Sequence, residues 1–140
     1  MYATERETVA AFMRRLYTRN LTTASGGNIS MRVDGDNVLL TASKLDKAIL
    51  TGQQVGVLGL GGENRTPELS PSIEAGMHLE IYRRHPGIRA VVHAHPVTAT
   101  AFCASNQRIN CRYIAESYAI IGDPVVAPYA RMGTTALAEN

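Results

Sequence analysis

Apolar residues recur at helical spacing along the first twenty positions. Val9, Phe12, Met13 and Leu16 share one face, which predicts a helix ending near Asn20. Thr4 is the expected N-cap, with Glu5 and Glu7 in the first turn, where their charge favours the helix dipole. Ser25-Gly26-Gly27-Asn28 is a strong turn signal. The period then changes from helical to two. Ile29 to Val33 reads as a strand, Asp34-Gly35-Asp36-Asn37 as a hairpin turn, and Val38 to Thr41 as the partner strand. A glycine-rich stretch, Gly59 to Gly62, separates Val55-Gly56-Val57-Leu58 from the next unit. Pro71 and Ser72 introduce a second helix, about Ile73 to Arg84, and His85-Pro86-Gly87 stops it, since proline disfavours helix at the residue before it. Ile88 to His95 reads as a short, mostly apolar strand, Pro96 to Ala104 as a short helix and Val125 to Ala127 as a strand. Gly133-Thr134-Thr135 opens a last helix. The sequence ends at Asn140, about two turns later, and a helix that short is not stable alone. A single domain over residues 1–140 is expected, lacking its C-terminal segment.

Composition narrows the classes. The chain has 140 residues, 45% hydrophobic and 19% charged, which is ordinary for a globular domain with a real core. A net charge of +2 with scattered Lys and Arg gives no footprint for nucleic acid or an anionic membrane. The pairs Arg14-Arg15 and Arg83-Arg84 fall in expected helices and read as solvated faces. No apolar run reaches the roughly 18 residues of a spanning helix, and the charged N-terminus lacks the pattern of a secretory signal. Cys103 and Cys111 are too few for a disulfide framework and read as buried or half-buried free thiols of a cytoplasmic protein.

The chemistry concentrates in Ala90-Val91-Val92-His93-Ala94-His95. On a strand, His93 and His95 point the same way, and two imidazoles on a rigid strand can supply two ligands to one metal ion. Two histidines satisfied by backbone groups would be the bland alternative. The pair does not name the metal, since imidazole suits zinc, iron, nickel and copper. A catalytic metal wants a third ligand and a carboxylate nearby. Glu74 and Glu80, on the preceding helix, are the candidates, and Glu80 reads as an exposed helix residue. His78, one turn after Glu74, is either a ligand or a helix-face residue. Ser25-Gly26-Gly27-Asn28 and Thr41-Ala42-Ser43-Lys44 offer exposed amides, hydroxyls and a cation, the chemistry of an anion pocket. A tight turn or a strand terminus also explains either. Neither is a Walker loop or a dinucleotide fingerprint.

Five stretches, taken in order, resemble the class II aldolase/adducin family. They are Gly26-Gly27-Asn28-Ile29-Ser30-Met31-Arg32, Leu39-Leu40-Thr41-Ala42-Ser43, Pro71-Ser72-Ile73-Glu74 with His78-Leu79-Glu80-Ile81-Tyr82, His85 through His95, and Ala127-Pro128-Tyr129-Ala130-Arg131-Met132-Gly133-Thr134. The resemblance implies an α/β fold, a three-layer α/β/α domain with a largely antiparallel central sheet, assembled as a homotetramer with sites at subunit interfaces. It implies Zn2+ or another divalent metal on His93 and His95, and Glu74 as acid/base. Asn28, Ser43 and Ser72 would hold a substrate phosphate, with Lys44 at its edge, and Tyr113 would be a further catalytic residue. The implied activity is a metal-dependent aldolase that cleaves a small sugar phosphate, such as a ketose 1-phosphate, through a metal-stabilised enediolate. The alternatives are an epimerase, dehydratase or decarboxylase on the same scaffold, or a non-catalytic adducin-like interaction domain. The sequence also departs from the family. Lys44 stands where the aldolases usually have glycine, and Ile73 replaces a second phosphate-binding serine. The family's third histidine ligand follows the Gly133-Thr134 region, whereas His78, His85, His93 and His95 all precede it.

Overall fold

A computed structural model of the chain describes residues 1–105 and 107–140. Four strands form one sheet: β1 (Asn28–Arg32), β2 (Asn37–Thr41), β3 (Val55–Gly59) and β4 (Ala90–His93), in the order β3-β2-β1-β4 and antiparallel at every pairing. β1 and β2 are the predicted hairpin. Asp34 Oδ1 accepts from the backbone N–H groups of Asp36 and Asn37 and so closes the turn.

The alternation of side chains divides the core in two. Ile29, Leu39, Val55 and Val57 face helix α1 (Ala3–Thr18) and pack with its Val9, Ala10 and Met13. Val38, Leu40 and Leu58 face the other way, onto Leu79 and Tyr82 of helix α2 (Ala75–Arg84). β2 is therefore covered on both sides, which is why Val38-Leu39-Leu40 is a continuous apolar run rather than an alternating one. β1 differs. Its α1-facing residue Ile29 is apolar, while its α2-facing residues Asn28 and Ser30 are polar and just as buried.

Several boundaries depart from the sequence expectation. Thr4 does not cap α1. The helix starts two residues earlier than that cap implies, after Tyr2 in a left-handed conformation (φ 55°), and the Tyr2 hydroxyl donates to Asp34 Oδ2 at 2.5 Å, which ties the helix start to the hairpin. α2 begins at Ala75 rather than Ile73, because Ser72 Oγ takes the Glu74 N–H in a local turn at 3.3 Å. Arg83 and Arg84 close the helix and pair with Glu80. β4 ends at His93, two residues short of expectation. Val125 to Ala127 forms no strand. Among the described residues nothing pairs with it, and Val125 and Val126 remain 91% and 61% exposed.

The later part of the chain is helical: α3 (Val97–Ala104), α4 (Ala115–Ile121) and α5 (Thr135–Glu139). α4 has no counterpart in the predicted elements. α5 opens where expected, and Thr134 caps it, with its Oγ1 accepting from the Leu137 N–H. Gly133, at φ 77°, lies so close to Ile73 that an added Cβ would come within 2.7 Å of its side chain, which brings this turn against the start of α2. No residue of α3 or α4 is buried, and Cys103 on α3 is exposed rather than half-buried, while Cys111 is buried. No helix among the described residues is long and apolar enough to cross a membrane.

Candidate active site

The site forms where β1 and β4 pair. Their register sets Asn28 opposite His93, so the first residue of one strand and the last of the other share a face. His95 lies just beyond β4, where its backbone N–H donates to the Leu21 carbonyl at 2.8 Å. The two imidazoles meet with Nε2 atoms 2.9 Å apart and ring planes inclined by 56°. The glycines of the preceding loop make room for this. A Cβ on Gly26 would come within 2.8 Å of His95 Nδ1, and one on Gly27 (φ 67°) within 2.7 Å of the His93 carbonyl oxygen. The Ser25-to-Asn28 stretch is thus first a seat for the histidine pair.

Beside the pair lies a chain of buried and half-buried polar groups. Glu74 Oε2 is 3.0 Å from His93 Nδ1. That nitrogen is buried and makes no aligned hydrogen bond, so the contact is an electrostatic approach across a poor angle. Asn28 Nδ2 donates to Glu74 Oε2 at 2.6 Å and to Ser72 Oγ at 3.0 Å. Asn28 Oδ1 faces His78 Nε2 at 2.5 Å, His78 Nδ1 faces Ser30 Oγ at 2.6 Å, and Ser30 Oγ faces the Tyr82 hydroxyl at 2.8 Å. His78 is a residue of the inner face of α2, the second of its two sequence readings; it is fully buried and serves this chain. Burial, helped by repulsion from His93, pushes its pKa down to about 4, so the ring is neutral. Burial also lowers the His93 pKa. The Glu74 carboxylate acts in the opposite sense, and His95 adds to the lowering.

The donor set can be tested against a divalent cation. Two imidazole nitrogens on a tetrahedral zinc lie about 3.3 Å apart, and the 2.9 Å Nε2 separation is close to that. Glu74 sits on the Nδ1 side of His93, away from the point where the Nε2 atoms meet. That is where a carboxylate orients a metal-bound imidazole rather than ligating the metal itself. Among the described residues no three His, Cys, Asp or Glu side chains converge as a metal cluster. The residues present therefore fit two ligands and an orienting carboxylate.

The expected anion residues are brought together in part. Ser72 and Asn28 are in contact. Ser72 Oγ accepts from both Asn28 Nδ2 and the Glu74 N–H, which leaves its own hydrogen free to donate. Ser43 belongs to the neighbouring loop, whose backbone N–H donates to the Ser70 carbonyl at 2.9 Å. Lys44 is exposed, with φ 59°, a conformation that suits the glycine of the aldolases better. Thr41 is a structural residue, since its hydroxyl accepts the Ile29 N–H at 3.2 Å within the sheet. Tyr113 stands 88% exposed on a short 3-10 turn, Cys111–Tyr113, and among the described residues makes no hydrogen bond to Glu74 or the histidines. Glu80 is half-buried rather than exposed, and is tied to Arg83 and Arg84. A surface cavity of about 790 Å3, lined by Phe102, Cys103, Arg108, Arg112, Asp123 and Val125, touches none of these groups.

Sequence reasoning missed Ser30, Tyr82 and Lys47. The first two had a legible signal: polar residues on alternate positions of an otherwise apolar strand, facing helix positions four apart. Lys47 is buried, donates through Nζ to the Ala42 carbonyl at 3.2 Å, and has its pKa lowered by burial. Nothing in the sequence distinguishes it from a surface lysine.

The antiparallel sheet thus carries a histidine pair and an adjacent carboxylate at one strand end. The Class II Aldolase and Adducin N-terminal domain model matches residues 7–140, and the chain belongs to this family. It is 33% identical over 127 residues to an L-fuculose phosphate aldolase of Methanococcus maripaludis, a match covering 91% of this chain and 68% of that protein. It is 38% identical over 93 residues to a methylthioribulose-1-phosphate dehydratase of Granulibacter bethesdensis, covering 66% of this chain and 44% of the relative. Among solved structures, L-fuculose-1-phosphate aldolase from Thermus thermophilus superposes with a TM-score of 0.83 at 30% identity, over 97% of this chain and 68% of that one. The chain thus spans about two thirds of the aldolases it matches.

Proposed function

We propose that this chain carries the substrate- and metal-binding part of a lyase acting on a small phosphorylated sugar, with aldol cleavage of a ketose 1-phosphate as the reaction. The observation that carries this reading is the contiguity of Glu74 with both halves of the site: 3.0 Å from His93 on one side and, through Asn28, linked to Ser72 on the other. A divalent cation, zinc in the first instance, held by His93 and His95 would supply Lewis acidity toward the substrate's carbonyl oxygen. Glu74 would take the proton from the hydroxyl whose carbon–carbon bond breaks and return one to the fragment left behind. Ser72 would donate its free hydroxyl hydrogen to the phosphate, with Ser43 and Lys44 on the adjoining loop adding a donor and a charge. Asn28 would hold Ser72 and Glu74 in register rather than meet the phosphate alone.

Helices α1 and α2 on opposite faces of the sheet support the three-layer α/β/α arrangement. The exposure of Tyr113 suits a residue offered to a neighbouring subunit, consistent with a tetramer whose sites lie at interfaces. The remaining metal ligands would come from solvent, substrate or a segment outside residues 1–140. A second reading, dehydration of a ketose 1-phosphate, is favoured by the 38% identity to the dehydratase. It uses the same proton-transfer role for Glu74.

Purified protein, loaded with zinc, should be given L-fuculose 1-phosphate and methylthioribulose 1-phosphate in parallel. Appearance of two carbonyl fragments from the first supports aldol cleavage. Loss of water from the second without carbon–carbon cleavage supports dehydration instead. Turnover that survives complete removal of divalent metal would sink both.

A further inference from the structure

We propose that the buried chain Tyr82–Ser30–His78 is a positioning device that fixes which way the Asn28 carboxamide faces, which makes His78 a positioning residue for the site. This rests on the proposed active site. Asn28 Oδ1 can only accept a hydrogen bond, so in the contact at 2.5 Å the hydrogen belongs to His78 Nε2. A neutral ring with its hydrogen on Nε2 leaves Nδ1 as an acceptor, and Ser30 Oγ at 2.6 Å must donate to it. Ser30 Oγ then accepts from the Tyr82 hydroxyl at 2.8 Å. Each N–H and O–H of the chain then donates once, and all in one direction.

The opposite orientation is penalised at its far end. Rotating the amide by half a turn would bring Asn28 Oδ1 to where Nδ2 now stands, 2.6 Å from Glu74 Oε2, and place two acceptors in contact. It would also require the other His78 tautomer. His78, Ser30 and Tyr82 are completely buried and Asn28 nearly so, so water cannot stand in for a missing partner, and an unmatched group there is costly. The Glu74 carboxylate at one end and the His78 tautomer at the other thus select the same orientation, in which the amide NH2 bridges the carboxylate and the Ser72 hydroxyl.

The test uses the side-chain amide resonances of Asn28 in nitrogen-15-labelled protein, assigned by their loss in Asn28→Ala. His78→Leu fills the space without a donor, and His78→Gln restores an N–H toward Asn28. In His78→Leu the Asn28 resonances should move away from their hydrogen-bonded positions, and turnover should fall roughly tenfold to hundredfold, as for other groups that orient a site from behind. Binding of inorganic phosphate should weaken alongside. His78→Gln should move both back toward the native values. If the leucine variant does not fold, Ser30→Ala serves, since it removes the donor to Nδ1 and leaves the ring in place. Asn28 resonances unmoved in folded His78→Leu or Ser30→Ala, or a glutamine variant as displaced as the leucine one, overturn the proposal. The amide readout needs no turnover, so failure of the assigned reaction and failure of the positioning role are separable.

Discussion

A fully buried histidine with a low pKa makes stability depend on pH in a defined window. His78 has no exposed surface, and burial pushes its pKa to about 4 from an ordinary 6.5. The unfolded chain binds this proton below about pH 6.5, and the folded chain resists it until about pH 4. Stability is therefore complete above pH 6.5, falls as pH drops through that range, and stops falling from this cause below pH 4. The gap is worth roughly 3 kcal/mol at its full extent, at 1.36 kcal/mol per pK unit. His93 shifts in the same direction and contributes in the same window, so the wild-type curve alone cannot assign the effect. The carboxylates with lowered pKa values, Glu7, Glu80 and Asp34, act at lower pH. Urea denaturation at pH 8, 6, 5 and 4 should be compared between wild type and His78→Gln. The variant should start less stable and lose roughly 3 kcal/mol less between pH 8 and pH 4. Parallel stability curves for the two proteins would refute the reasoning.

Further outcomes concern the site. Glu74→Gln should lower turnover by roughly two to four orders of magnitude, the usual worth of a positioned acid/base, while bound metal stays within error of wild type by elemental analysis. Glu80→Gln, on a group whose side chain among the described residues pairs with Arg83 and Arg84 alone, is the control and should change turnover less than about twofold. His93→Ala or His95→Ala should lose divalent metal on dialysis. Retention of a full equivalent by either would remove the pair from the metal site. Ser72→Ala should raise KM for a phosphorylated substrate more than it lowers kcat, because it mainly removes ground-state binding. Gly27→Ala should destabilise by about 1–3 kcal/mol, for its φ of 67° and the His93 carbonyl 2.7 Å from the new Cβ. Gly35→Ala, with open space around it, should not.

Periodic stretches were legible in the sequence. The hairpin, α1 and α2 follow from alternation, helical spacing and the Pro86 stop, and the His93–His95 pair was visible from its spacing alone. Boundaries set by single side chains were not. Tyr2 overrides Thr4 at the start of α1 because its hydroxyl reaches Asp34, a contact 32 residues away that local propensity cannot report. Val125 to Ala127 has the composition of a strand, but a strand exists only with a partner. Glu74 was legible as a carboxylate near the histidines. Its position on the Nδ1 side of His93 was not, because that depends on ring orientation and on the β1–β4 register. His78 was the hardest. A helix-face histidine and a buried relay histidine look identical until the polar residues of β1 are known to face it.

The register of β1 joins fold to site. Side chains on a strand alternate faces, so shifting β1 by one residue against its neighbours would exchange its two sets. Ile29, now in the α1-side core, would be turned toward His78, and Asn28 and Ser30 would be driven into the cluster of Val9, Met13 and Leu39. Both errors are expensive, one by leaving His78 without partners and the other by burying polar groups among apolar ones. The same polar pair that builds the relay therefore specifies the pairing that sets Asn28 opposite His93. Ser30→Val would replace a buried hydroxyl with a somewhat larger apolar group on the correct face. It should leave the sheet pairing intact and cost stability through the stranded Tyr82 hydroxyl and His78 Nδ1, about 1–3 kcal/mol for each group left unsatisfied. The double variant Ser30→Val with Tyr82→Phe removes one of those stranded groups. It should recover part of that loss in urea denaturation while the Asn28 amide stays misdirected. Stability restored without turnover would separate the part of β1 that holds the fold from the part that aims the site. Turnover restored along with stability would show that the relay serves packing alone.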